Sequence, residues 1–252
     1  MSDVMFKVLG WRALLIHGDP CVLDRWRWLH SQLRPGPLRT FDAGCGNGAF
    51  SIYAARRGNA VLAASFSAGE QEAARRRAEE LGITDIDFRV LDLREIGRHA
   101  SELGSFDQII CFETIEHLSD DEGLVRTLAG MLEPGGRLLL TTPFDAHHPL
   151  YSEETTPSPV EDGSHVRYGY SRARLRELAE LAGLEVVEEG FASGFFSQKV
   201  TSLMRILTAR FSLPVSWALT FPLRALVVLD RPLGRLLGYP YLSVALTGVR
   251  PV

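Results

Sequence analysis

With 252 residues, 46% of them hydrophobic and 23% charged, the chain is long enough for one domain with a sizeable core and too apolar to be disordered. A formal net charge of -4, with no long basic stripe outside the C-terminal part, argues against nucleic acid as a partner. Cys21, Cys45 and Cys111 are odd in number and lack metal-type spacing, so neither a disulfide framework nor a zinc site is expected and a reducing compartment is.

The N-terminal "MSDVMFKVLG" has no charged region followed by an apolar core, so no secretory signal is expected and the cytoplasm is the default location. Residues 1–37 read as an N-terminal helical segment around "CVLDRWRWLHSQL", closed by the "RPGP" punctuation, and residues 38–252 as the main domain. There "LRTFDAGC" reads as a buried strand, "AFSIYAARRG" as a helix closed by Gly58, "NAVLAASF" as a second strand, and "AGEQEAARRRAEELG" as a helix closed by Gly82. Ser67 with Glu70 has the spacing of a capping box, and so does Ser119 with Glu122 at the start of "DDEGLVRTLAGML". "DIDFRVLDL" and "SFDQIICF" supply strands three and four, and "EPGGRLLLTTP" a turn and strand five. Strands alternating with helices in this way predict an α/β fold, a doubly wound, mostly parallel sheet with helices on both faces.

Gly44, Gly46 and Gly48 fall between the first strand and its helix, where a doubly wound sheet holds its ligand. Their spacing is G-x-G-x-G, one residue short of a dinucleotide fingerprint, and no Gly-Lys-Ser or Gly-Lys-Thr follows to make a P-loop. A ligand other than a phosphate held in a glycine cradle is therefore expected.

"FDAGCGNG", the "LDL" after strand three, "FDQIICFETIEHL" and "LEPGGRLLLTTP", in that order, resemble the class I S-adenosylmethionine-dependent methyltransferases, with the small-molecule type of quinone biosynthesis the most similar. The resemblance runs from residue 38 to 190. It implies a seven-stranded Rossmann-like methyltransferase fold in which "LEVVEEGF" and "YLSVALTGVRP" form strands six and seven, an antiparallel pair. It also implies S-adenosylmethionine as cofactor, with Asp42, Gly44, Cys45, Gly46 and Gly48 around its methionine and ribose portion. Asp92 and Leu93 would face the adenine, and Phe112 would end strand four along the cofactor's other side. Asp92 also has the position of an ordinary cap for "LREIG".

One position departs from the pattern. The family usually ends strand two with an acid that takes both ribose hydroxyls, and this chain has Ser65 there. Losing such a charge-assisted pair costs about 1–3 kcal/mol of affinity. Glu70 downstream is already explained by the capping box. Either Ser65 serves a rearranged ribose site, or the fold no longer binds the cofactor and acts as a non-catalytic binding or scaffold module.

Methyl transfer to a hydroxyl needs a positioned base. His117 after strand four is one candidate, with a structural tether as its alternative role. His147 and His148 are the others, on the loop "TTPFDAHHPLYSEE" with Asp145 and Tyr151, ahead of a second loop carrying His165, Arg167, Tyr168 and Tyr170 and a helix capped by Ser171. Adjacent histidines alone do not make a metal site, and none is expected.

Residues 192–240, between strands six and seven, are too long for a simple connection. The segment is apolar and basic, with Lys199, Arg205, Arg210, Arg224, Arg231 and Arg235 against Asp230 alone, and prolines interrupt every run before membrane-spanning length. It reads either as a helical layer at a lipid surface or over a greasy acceptor pocket, or as a layer packed on the sheet or against a second subunit, as in a homodimer. The expected activity is methylation, at oxygen, of a small or lipid-linked acceptor.

Overall fold

The computed structural model describes residues 8–17, 20–148, 157–238 and 240–252. Seven strands make one sheet: β1 (Arg39–Ala43), β2 (Ala60–Ser65), β3 (Ile86–Val90), β4 (Phe106–Phe112), β5 (Leu132–Pro143), β6 (Glu185–Ala192) and β7 (Ser243–Val249). Their order is β3-β2-β1-β4-β5-β7-β6. The first five run parallel, while β7 lies antiparallel to both β5 and β6.

The helices before and among the strands are α1 (Ala13–His17), α2 (Cys21–Gln32), α3 (Ala49–Arg56), α4 (Ala68–Glu80), α5 (Ile96–Leu103), α6 (Asp121–Gly130) and α7 (Arg172–Leu181). Between β6 and β7 come α8 (Phe195–Thr208), α9 (Leu213–Thr220), a 3-10 stretch Phe221–Leu229 and α10 (Asp230–Leu237).

Alternation along the central strands divides the core in two. Ile109 and Leu138 face Phe41, Phe106 and Leu128 on one side of the sheet. Their neighbours Ile110 and Leu139 face Leu29, Ile52 and Ala63 on the other. These strands are apolar on both faces because helices cover both, the expected consequence of parallel crossovers. Phe41 and Phe106 stack with ring centroids 5.2 Å apart under the first face. Cutting a wholly buried residue such as Ile109 back to alanine costs about 2–5 kcal/mol.

Three local expectations change. The cap of α6 is Asp120, whose side chain accepts from the Gly123 amide at 2.9 Å, rather than Ser119, whose own amide donates to Glu161. Ser67 does cap α4 through the Glu70 amide at 3.3 Å, but the Glu70 carboxylate turns instead to Ser65, so the box is only half made. Helix α5, absent from the sequence reading, follows the 3-10 turn Leu93–Glu95 and buries Ile96 and Leu103. Ser171 caps α7 as expected, accepting from Arg174 N at 3.1 Å.

β1 and β4 are adjacent, and the chain leaves them toward opposite edges of the sheet. That divergence opens a crevice beyond their carboxyl ends, where the glycine loop lies.

Candidate active site

A cavity of about 510 Å³ occupies this crevice. Its floor is Gly44 and Gly46, one wall is Ser65 to Glu70, the next is Asp92 with Leu93, and the opposite wall is Glu113, Thr114 and His117. Glu161, Asp162 and Gly163 close it from a loop far along the chain.

The glycines have different reasons to be glycine. A Cβ on Gly44 would sit 2.2 Å from Thr114 Oγ1, so the bare backbone there lets the loop close on the end of β4. At Gly46, with φ +48°, a Cβ would meet nothing within 4 Å. The free space at Gly46 belongs to the cavity, and the positive φ explains why no side chain projects into it.

Asp42 lies beneath the loop and is wholly buried, its Oδ2 accepting from Ser51 Oγ at 2.5 Å. Burial pushes its carboxyl up to about 7, against the lowering effect of the Ser51 hydrogen bonds. Cys45 turns its thiol into the core, where Gln71 Nε2 donates to it at 3.1 Å and burial raises its pKa. Phe112 packs edge-on against Phe50 at 5.1 Å. Thus Gly44, Gly46, Ser65, Asp92 and Leu93 line the cavity, whereas Asp42, Cys45 and Phe112 sit behind the lining.

Ser65 is not alone at the end of β2. Its Oγ donates to Glu70 Oε2 at 3.1 Å and accepts from the Ser67 amide at 3.3 Å. A carboxylate therefore stands beside the position that lacks one, delivered from the first turn of α4. Asp92 caps the Leu93–Glu95 turn through Arg94 N at 3.0 Å and pairs with the Arg94 guanidinium, whose hydrogen bonds lower its pKa. Capping and cavity lining coexist in Asp92, and Arg94 reaches on to Glu161 at 3.7 Å, tying the closing loop down.

On the far wall Glu113 adopts φ +49°, a rare conformation for a residue with a Cβ. It is held there by Arg25 of α2 at 2.9 Å and by Thr141 Oγ1, which donates at 3.0 Å. Glu116 is wholly buried, and its pKa is raised by burial and then by the Glu113 carboxylate. Its Oε2 accepts from Thr142 at 3.2 Å, and its Oε1 lies 3.9 Å from His117 Nε2. His117 meets His165 edge to face at 4.6 Å, and its buried Nδ1 has no hydrogen-bond partner among the described residues. Glu116, His117 and His165 bring one ligand-type atom each to within 4.8 Å of one another.

The other two histidines sit elsewhere. His147 stacks on Tyr168 at 4.5 Å, with Nδ1 2.5 Å from the Phe144 carbonyl. His148 is exposed, and its carbonyl accepts from Lys199. Among the described residues, His117 is the histidine on the cavity wall. Tyr151 lies outside the described residues. The sequence reading passed over Phe66, Thr114, Glu161 and Gly163. The Asp-Gly pair at 162–163 marks a turn, but nothing local places that turn over the cavity.

A family model described as a methyltransferase domain matches residues 17–189. Over 118 residues the chain is 35% identical to a ubiquinone biosynthesis O-methyltransferase of Xanthomonas axonopodis pv. citri (strain 306), covering 47% of this chain and 48% of that protein. The chain spans about half the length of the curated relatives it matches in that genus. Among solved structures it is similar to geranyl diphosphate C-methyltransferase from Streptomyces coelicolor A3(2), in complex with Mg2+, geranyl diphosphate and S-adenosyl-L-homocysteine. That likeness has a TM-score of 0.60 at 20% identity, over 90% of this chain and 78% of the other. The [4+2]-cyclase SpnF has a similar fold, with a TM-score of 0.62 at 20% identity over 92% and 82% of the two chains, so the fold alone does not assign the chemistry. Four ordered sequence blocks, the sheet order and a family model spanning most of the chain agree: this chain belongs to the methyltransferase-domain family, as a class I S-adenosylmethionine-dependent methyltransferase.

Proposed function

We propose that the cavity binds S-adenosylmethionine and that the chain transfers its methyl group to a hydroxyl of a small or lipid-linked acceptor. One observation carries this reading: the acids suited to a nucleoside, Glu70 and Asp92, and a histidine suited to a hydroxyl, His117, lie on different walls of one cavity. The residues fit the cofactor. Gly46 leaves open space where a side chain would intrude, Glu70 with Ser65 offers acceptors for ribose hydroxyls, and Asp92 offers one for the adenine amino group.

When bound, S-adenosylmethionine supplies an activated methyl group on a sulfonium. The chain's own residues position the acceptor and take its proton. His117 is the base, accepting the hydroxyl proton at a ring nitrogen. Burial, and then the Glu113 carboxylate, raise the pKa of Glu116, which disfavours a full negative charge beneath the imidazole. Glu113, strained and clamped by Arg25 and Thr141, fixes the turn that carries His117. The Xanthomonas relative's name, an O-methyltransferase of ubiquinone biosynthesis, supports oxygen as the atom methylated and a lipid-linked acceptor.

Incubating the chain with methyl-labelled cofactor and a total lipid extract, then analysing the products by mass spectrometry, tests the reading. Label in a phenolic lipid is expected. Cofactor binding without transfer to any acceptor favours the non-catalytic module.

A further inference from the structure

The helical layer between β6 and β7 is built with its polarity reversed. In α8 the wholly or nearly buried positions include Ser197, Gln198, Thr201 and Ser202. Ser197 Oγ donates to Asp230 Oδ2 at 2.6 Å, Gln198 Nε2 donates to the Pro240 carbonyl at 2.7 Å, and Thr201 Oγ1 lies 3.3 Å from Cys21 Sγ. In α9 Ser216 and Thr220 are the buried residues, while Leu213 and Leu219 are each 56% exposed. The Phe221–Leu229 stretch buries Val227 together with Arg224, which reaches the Ile16 carbonyl, and leaves Val228 56% exposed. In α10 Leu236 is 78% exposed.

Ten of the seventeen exposed large hydrophobic side chains among the described residues fall between Phe211 and Leu237, so this is a concentrated feature and not the scatter normal on any surface. In water a helix gains by turning its aliphatic face inward. A layer that satisfies its hydroxyls internally and turns leucines outward suits an apolar exterior. No helix among the described residues is long and apolar enough to cross a membrane, so the exterior has to be met side-on.

Charge selects the occupant. From Ser193 to Tyr241 the sole acid is Asp230, and it is buried, accepting from the Phe196 and Ser197 amides. The exposed side of the layer therefore shows no carboxylate, while Arg205 and Arg210 are exposed at the end of α8. Of the segment's six basic residues Arg224 is buried, and the side chains of Arg231 and Arg235 lie outside the described residues. Across a two-fold contact this segment would bring no carboxylate of its own to meet Arg210, whereas anionic headgroups complement it.

We propose that residues 205–237 dock on the surface of an anionic phospholipid bilayer, with Leu213, Leu219, Val228 and Leu236 in the acyl boundary and Arg205 and Arg210 among the headgroups. Lys199 of α8 donates to the His148 carbonyl, which ties the layer to the loop after β5. The docking does not depend on methyl transfer.

Flotation of the full chain with phosphatidylcholine vesicles, with and without phosphatidylglycerol, tests the proposal. The chain is expected to float with the anionic vesicles and to be released by salt. Leu213→Glu, Leu219→Glu and Val228→Glu together are expected to cut the bound fraction at least about tenfold, with unchanged circular dichroism. Arg210→Glu is expected to remove the preference for phosphatidylglycerol. A Leu219→Trp variant supplies a second readout that leaves the face apolar, with its emission shifting to the blue on anionic vesicles. Failure of the wild type to float overturns the proposal, as does equal flotation of the triple variant. A dimer in solution that the triple variant converts to monomer, without flotation of the wild type, assigns the face to a second copy instead.

Discussion

Ser65 Oγ donates to Glu70 Oε2 at 3.1 Å, which joins the end of β2 to the first turn of α4 and sets a carboxylate on the cavity wall one side chain away from the position that lacks it. If that carboxylate takes the ribose, Glu70→Gln weakens binding of S-adenosylhomocysteine by roughly 10- to 100-fold, the loss of one charge-assisted pair. Ser65→Ala, which removes only the positioning hydroxyl, costs a few-fold. Ser65→Asp loosens rather than tightens the complex, because two carboxylates at hydrogen-bond distance repel. Calorimetric titration of the three variants checks the order, and tighter binding by Ser65→Asp contradicts it.

His117 and His147 separate chemistry from scaffolding. His117→Ala is expected to lower turnover by about 10²–10⁴-fold while cofactor affinity changes little. His147→Ala removes the Tyr168 stack and the contact with the Phe144 carbonyl, so it lowers the melting temperature, at a cost of about 1–2 kcal/mol, and leaves turnover per folded molecule within a few-fold. Steady-state kinetics beside thermal melts read both. Turnover lost in His147→Ala and kept in His117→Ala reverses the assignment.

Much of the fold was legible because alternation and punctuation are local signals. The αβ rhythm, the glycine loop and the long interruption after β6 can all be read from neighbours in sequence. The site was legible only where it follows directly from a strand end, as with Ser65, Asp92 and His117. Glu70 was misread because a capping-box spacing accounts for the residue completely until its carboxylate is seen to reach back to β2. His147 and His148 looked favourable from their loop, yet the loop's path depends on the Tyr168 stack and on the Lys199 contact, both long-range. The reversed polarity of α9 was hidden for a related reason: periodicity reveals two faces of a helix and not which one points inward.

Asp42 makes stability depend on pH in a defined direction. Its carboxyl titrates near 7 in the folded chain against 3.8 when exposed, so between those values the folded state holds a proton that the unfolded state has released. That contribution is fully present below 3.8 and is lost as pH rises through about 7. Asp42→Asn still accepts from Ser51 and does not ionise. Its stability relative to wild type should therefore climb through this window, by a few kcal/mol at most. Urea midpoints taken below and above the window check this; a constant difference between the two proteins contradicts it.

The most direct test of cofactor binding in this cavity is a calorimetric titration of S-adenosylhomocysteine into the wild-type chain and into Gly46→Val. A Cβ at Gly46 meets no protein atom within 4 Å, so the valine fills ligand space and otherwise only strains the left-handed backbone. The expected result is saturable 1:1 binding by the wild type and a loss of about 100-fold or more in the variant, with a cooperative melt retained by both. No binding by the wild type, or equal affinity in the variant, contradicts the placement of the cofactor and with it the proposed reaction.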